Sequence, residues 1–359
     1  MAELLKNIFY QKHFFDKLTT QIKNHYPNFD TPYFYHLLYD EIWESLELKE
    51  RMRHTTLCLG KTLPESYKAA CEIIQAIAPE FRDLDAMVFP DFVEVYGLEE
   101  YDLSMQMLGF LTGFSSSEFA IRPFIKKYPE QTLQQMRLWA EDENHHVRRF
   151  ASEGCRPRLP WAMALPALKT DPSPILPILE KLKADESEYV RRSVANNLND
   201  ISKDHPKLLV EIARNWYDQN THTDWILKHG CRTLLKKGNP EVLQLFGFGD
   251  TSFFVLEKLQ IKPVEVKIGE ELEFLFELKV NRPGKIRLEY VIDFVKSNGK
   301  STSKIFHISE KNHLENENKI FQKTLSFKNL TTRKHYPGRH RLAIIANGVE
   351  MLFEYFSVI

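Results

Sequence analysis

Two copies of one short phrase, 43 residues apart, restrict what this chain can fold into. Asp142-Glu143-Asn144-His145-His146-Val147-Arg148-Arg149 returns as Asp185-Glu186-Ser187-Glu188-Tyr189-Val190-Arg191-Arg192. A period of roughly 40–47 residues belongs to solenoids of stacked helical hairpins, the HEAT and armadillo architectures. Each copy places an acidic pair where a helix should start and an Arg pair about one turn in, ahead of an apolar run. The acids suit a helix N-terminus. Stacked repeat on repeat, the arginines are expected to line one face with positive charge.

The helical pattern extends to both sides of the repeat. Residues 1–30 read as one amphipathic helix carrying Leu4, Leu5, Ile8, Phe14, Phe15, Leu18 and Ile22, and Asp30-Thr31-Pro32 starts the next. Glu47–Gly60 and Ser66–Ile77 read as a hairpin about Leu63-Pro64, and residues 81–100 as a short helix or loop. Ser115-Ser116-Ser117-Glu118 reads as a loop and N-cap leading into a helix over residues 119–138. After Arg149 the first copy departs from the second, since Gly154, Pro157 and Pro160 end its helix early. That break gathers Glu153, Arg156, Arg158 and Trp161, and a repeat that differs from its neighbours is where a site is sought. The second copy instead continues into Ala195-Asn196-Asn197-Leu198-Asn199-Asp200-Ile201-Ser202-Lys203-Asp204-His205-Pro206, whose polar residues suit helix caps at an interhelix turn. Lys228, Arg232 and Lys236 follow at i, i+4 and i+8, extending the basic stripe over a third repeat.

From Phe253 the apolar period changes from 3.6 to 2. Glu271–Leu278 and Lys285–Ile292 alternate, and Asn298-Gly299 and Asn347-Gly348 supply hairpin turns. About a hundred residues of closely spaced strands suit an immunoglobulin-like sandwich. The fold expected is therefore an α-α superhelix of HEAT-like repeats over residues 1–250, followed by an immunoglobulin-like β-sandwich over 251–359.

Charge divides unevenly along this plan. Residues 137–237 hold 17 Lys/Arg against 14 Asp/Glu and residues 251–359 hold 18 against 13, while the whole chain is at −1. A basic middle and end favour a polyanionic partner. Cys58, Cys71, Cys155 and Cys231 form no CxxC, and His145-His146 are adjacent rather than at ligand spacing, so neither a metal nor another cofactor is expected. With no apolar stretch of signal or membrane-span length, a cytoplasmic monomer is expected.

The repeated Val-Arg-Arg phrase, the run Ala195–Pro206 and the Glu153–Trp161 departure together resemble the DNA alkylation repair family of HEAT-like glycosylases. The appended sandwich is similar to its AlkC-type branch. The resemblance implies a monofunctional glycosylase of base excision repair that releases 3-methyladenine and 3-methylcytosine from double-stranded DNA without base flipping. It implies Glu118, Glu153 and Trp161 as the catalytic group, with the roles of the two glutamates interchangeable, and it implies a DNA contact from the sandwich, where Arg333-Lys334-His335 and Arg339-His340-Arg341 are the basic runs. The Trp, Asp and Trp constellation of the AlkD-type members is not found.

These residue types suit that chemistry. A base alkylated at N3 already carries positive charge and leaves without a general acid, so what remains is to stabilise an oxocarbenium-like sugar and direct water to it. Carboxylates do both, and an indole face attracts the developing cation. Arg148, Arg149, Arg156, Arg158, Arg191, Arg192, Lys203, Lys228 and Arg232 are the expected phosphate contacts, giving affinity with little sequence information. The competing reading is a HEAT-repeat scaffold that binds DNA or protein without chemistry, because fold alone decides no function.

Overall fold

The computed structural model describes residue 5, residues 8–330 and residues 333–359. Helix α1 (Lys12–His25) buries Phe14, Phe15, Leu18 and Ile22. It starts later than the pattern suggests because Tyr10 takes a left-handed backbone, φ 58°, and turns the chain just before it. Leu4 lies outside the described residues. Helix α2 (Thr31–Leu38) starts as its sequence dictates, with the Asp30 carboxylate accepting from the Tyr33 amide and Pro32 in the first turn. Glu47 and Glu50 form a reciprocal capping box on α3 (Leu48–Thr62), and the Ser66 hydroxyl caps α4 (Tyr67–Ile77).

The stretch 81–100 resolves into α5 (Val88–Tyr96), followed by α6 (Tyr101–Leu111). One helix was expected over 119–138; two form, α7 (Ile121–Lys127) and α8 (Pro129–Trp139), since Pro129 has no amide to continue the ladder. Then come α9 (His145–Gly154), the short α10 (Pro166–Thr170) and α11 (Leu176–Leu182), and α12 (Glu188–Asp204). The chain continues through α13 (Pro206–Trp216), α14 (Thr221–Gly230), α15 (Arg232–Lys236) and α16 (Pro240–Leu245).

The repeated phrase is used identically at its first arginine. Arg148 Nη1 donates to the carbonyls of Asp142 and Glu143, 2.9 and 2.8 Å away, and Arg191 Nη1 does the same to Asp185 and Glu186 at 2.8 and 2.7 Å. Each guanidinium thus ties a helix to the turn before it. Arg148 also grips Asp185 of the next copy through Nε and Nη2, at 2.7 and 3.1 Å, which fixes the stacking of one repeat on the next.

The polar run of the second copy does not cap a turn, contrary to the expectation. Helix α12 passes through it to Asp204, burying Asn197, Asn199, Asp200 and Ser202. Burial demands partners, and the first copy supplies them. Asn197 Nδ2 donates to the Ser152 carbonyl at 2.9 Å, the hydroxyls of Ser152 and Ser193 bond at 2.6 Å, and Asp200 accepts from Arg156.

An immunoglobulin-like sandwich closes the chain. Strands β1 (Phe254–Lys262), β3 (Glu271–Val280) and β6 (Asn318–Ser326) form one sheet in the order β1-β3-β6. The other, in the order β2-β8-β7-β4-β5, holds β2 (Glu265–Val266), β4 (Gly284–Val295), β5 (Ser301–His313), β7 (Gly338–Ala346) and β8 (Val349–Val358). The period-2 residues Leu272, Phe274, Phe276 and Leu278 face inward to meet Leu288, Ile292, Leu342 and Ile344. Asn347-Gly348 turns β7 into β8 with both residues at positive φ, 49° and 79°, which is what a tight primed hairpin requires.

By internal contacts the chain divides into two compact units, one reaching His205 and including Trp216–Gly230, the other made of Pro206–Asn215 and Cys231–Ile359. The second unit takes in helical residues because they are bonded to the sandwich: Lys285 donates to the Phe246 carbonyl and Asn347 to that of Asp250. The change from helix to strand, between Leu245 and Phe254, is thus not where the compact unit begins. Among the described residues no helix is long and apolar enough to cross a membrane.

Candidate active site

The two glutamates singled out from sequence meet on one arginine. Glu118 sits in the loop between α6 and α7, which is pinned by Ser117 donating to the Leu108 carbonyl at 2.9 Å and Ser115 to that of Asp83 at 2.8 Å. These serines hold the loop and do not cap α7, whose N-cap is Ala120. Glu153 stands in the last turn of α9 and is only 5 % exposed. Between them lies Arg149. Its Nη1 pairs with Glu118 Oε2 and donates to Ser116 Oγ at 2.8 Å, while its Nη2 stands 3.6 Å from Glu153 Oε1. Burial alone would lower the pKa of this guanidinium, but Glu118 and Glu153 outweigh it and hold the group above its usual range. Its flat face covers the Tyr189 ring at 4.9 Å.

The charges continue in alternating sign. Glu153 Oε1 accepts from Arg156 Nη1 at 2.6 Å, Arg156 Nε reaches Asp200 at 2.9 Å, and Asp200 receives Lys203 at 3.1 Å. Each buried charge has an opposite neighbour, the condition for holding ions away from water.

After Gly154 the chain leaves the helix. A side chain at Gly154 would bring a Cβ within 2.7 Å of Ile121 and 3.0 Å of Met136, so glycine permits the close approach of α9 to α7 and α8. The loop beyond is organised by Arg122, which is completely buried and donates to the carbonyls of Gly154 and Arg156, both at 2.9 Å, and of Met163 at 2.5 Å. Burial pulls its pKa down to about 10. Cys155 beneath the loop is inert, its thiol pushed up to about 12 by burial. Pro160 then presents Trp161 with its backbone at φ 64° and its indole 62 % exposed. Glu118, Glu153, Arg149, Arg156, Tyr189 and Trp161 all line one cavity of about 400 Å³, floored by Leu48, Met52, Met87 and Phe119.

Residues 112–234 match the family described as DNA alkylation repair enzyme, and residues 255–359 match the C-terminal Ig-like domain of the uncharacterised protein YhaZ. The uncharacterised protein YhaZ of Bacillus subtilis is 50% identical over 348 residues, 97% of each chain. The alkylpurine DNA glycosylase AlkC of Pseudomonas fluorescens, solved bound to DNA containing an abasic site analog, superposes with a TM-score of 0.95 at 35% identity, covering 99% of this chain and 100% of that one. The chain belongs to the DNA alkylation repair family.

The basic residues expected to form one stripe fall into separate groups in this family member. Arg149 and Arg156 are within the carboxylate cluster, and Arg148 and Arg191 are bonded to backbone carbonyls of the solenoid. Arg158 is exposed and pairs through Nε and Nη2 with Asp204, Arg192 is exposed beside Glu188, and Lys203 reaches Asp200. Lys228 and Arg232 do not share a helix, because α14 ends at Gly230, where an added Cβ would come within 3.1 Å of Leu198, and α15 begins at Arg232. In the sandwich, His335 and His340 are buried among Phe294, Phe327 and Phe356, while Arg339 lies 3.9 Å over the Tyr355 ring. Sequence reasoning missed Arg122, Ser116 and Tyr189 as parts of the site. Arg122 gave no signal, since an arginine three residues into a helix reads as surface; Tyr189 had one, as the position where the second copy replaces His146 by a larger ring.

Proposed function

We propose that this chain is a monofunctional DNA glycosylase that hydrolyses the N-glycosidic bond of cationic alkylated bases, 3-methyladenine and 3-methylcytosine, in duplex DNA during base excision repair. The observation that carries the reading is the convergence of Glu118 and Glu153 on Arg149 at the wall of a cavity with Trp161 exposed at its edge. The similarity over the full chain to AlkC, which has been seen on abasic DNA, supports the same substrate class.

Chemically, the lesion departs as a neutral base, leaving positive charge on the sugar. Glu153 directs water to the anomeric carbon, and Glu118 adds negative potential where that charge develops. The guanidinium of Arg149 fixes both carboxylates in advance, so little reorganisation accompanies bond cleavage. Trp161 offers its π face to the sugar or the lesion. The lesion stays in the helix, and the exposed Arg158, Arg192 and Lys203, together with Arg232, contact phosphates, whereas the Lys228 ammonium is buried away from them. No metal or cofactor takes part.

Methylated duplex incubated with the protein in chelator, with free bases identified, tests this. Release of 3-methyladenine by the wild type and a loss of about 100- to 1000-fold in Glu153→Gln and in Glu118→Gln are expected. Binding of alkylated duplex without release of base would instead establish a lesion-binding scaffold.

A further inference from the structure

We infer that Lys49, on α3, is a positioning residue for Trp161, tying the first helices of the solenoid to the catalytic loop; this rests on the glycosylase reading above. Trp161 is 62 % exposed, so little packing holds it, and its backbone sits at φ 64°, a conformation that is strained for a residue with a Cβ. Such a residue stays in place only where its surroundings fix it. Arg122 fixes both flanks of the loop, at Gly154, Arg156 and Met163, but not its tip.

The tip is fixed by Lys49, whose Nζ donates to the Trp161 carbonyl at 2.6 Å from 112 residues upstream. The same ammonium lies 4.7 Å from the centroid of the Phe119 ring, in the residue next to Glu118. One side chain therefore touches both the segment that bears Trp161 and the segment that bears Glu118, and it lines the same cavity as they do. The ammonium is bonded to a carbonyl and set over a ring, and its effect on the reaction passes through the segment that bears the indole.

Lys49→Met keeps an unbranched side chain one atom shorter and removes the donor. Three measurements decide the matter: amide exchange of residues 158–163 in the free protein, the dissociation constant for alkylated duplex, and the single-turnover rate of base release. In Lys49→Met exchange over 158–163 should rise and base release should slow by about 10- to 100-fold, with the dissociation constant moved less than about twofold. Lys49→Arg, which retains a donor, should recover most of the rate. Adding Lys49→Met to Trp161→Ala should cost nothing beyond Trp161→Ala alone. Unchanged exchange in Lys49→Met, or losses that multiply in the double variant, would overturn the inference. Should the wild type release no base, the glycosylase reading fails by itself, and the exchange measurement still decides whether Lys49 holds the loop.

Discussion

The two copies of the repeated phrase share their Val-Arg-Arg core and part ways at the second arginine. Arg148 and Arg191, the first arginines, make the same pair of bonds to the turn before their own helices. Arg149 and Arg192, the second arginines, do opposite things. Arg149 is mostly enclosed between Glu118, Glu153 and Tyr189, its side chain 13 % exposed, whereas Arg192 is 65 % exposed and pairs with Glu188 of its own helix. The next turn diverges as well, with Gly154 ending α9 at the position where Asn197 lies inside α12. A repeat architecture asks only that the first arginine and the apolar face be kept. The second arginine is then available to different surroundings, and the site arises where the neighbouring loop brings a carboxylate to it.

The largest effect should therefore come from exchanging the second arginines separately. Arg149→Met is expected to slow base release about 100-fold, and Arg192→Met by less than about twofold at low salt. With the guanidinium gone, Glu118 loses its ion pair, while Glu153 keeps Arg156. Equal rates of base release in Arg149→Met and Arg192→Met would break the comparison at its main point.

Much of this is legible in the sequence, and what is not has a physical cause. The 43-residue period gave the solenoid, and the alternation of Glu271–Leu278 gave the sandwich, because both signals come from local periodicity. The departure after Arg149 pointed to the candidate site for the same reason. Hidden from sequence were the partners of buried charges. Asp200 and Arg156 lie 44 residues apart and pair between α12 and the loop after α9, and Arg122 meets carbonyls 32 to 41 residues away. Nothing in a linear pattern distinguishes these from a solvated helix face. The basic stripe misled for that reason: arginines counted as a surface were in part the mortar between repeats.

That role predicts the next effect in size. Arg148→Ala leaves Asp185, itself nearly buried, without its cation and two carbonyls without a donor, and should cost about 2–3 kcal/mol of folding stability. Arg191→Ala removes the two carbonyl bonds and its contact with the Trp225 ring, with no buried acid abandoned, and should cost about 1 kcal/mol. Chemical denaturation of the two variants reads the difference directly. Equal losses would mean that the Arg148–Asp185 pair adds nothing to the stacking of the repeats.

The smallest expected effect separates structural from DNA-facing arginines in the second copy alone. Each phosphate contact releases counterions, so the logarithm of the binding constant falls with the logarithm of salt by about 0.9 for each contact. Arg192 is exposed, and its partner Glu188 is a surface i, i+4 acid that holds it weakly. A phosphate competes well for such a guanidinium, and Arg192→Ala should reduce the slope by about 0.9. Arg191 donates to two carbonyls of its own turn, bonds that a phosphate would have to replace at the expense of the fold. Its substitution should leave the slope unchanged even where it lowers stability. If Arg191→Ala flattened the salt dependence as much as Arg192→Ala, the first arginine would be serving the duplex as well as the repeat, and the division of labour drawn between adjacent residues would not hold.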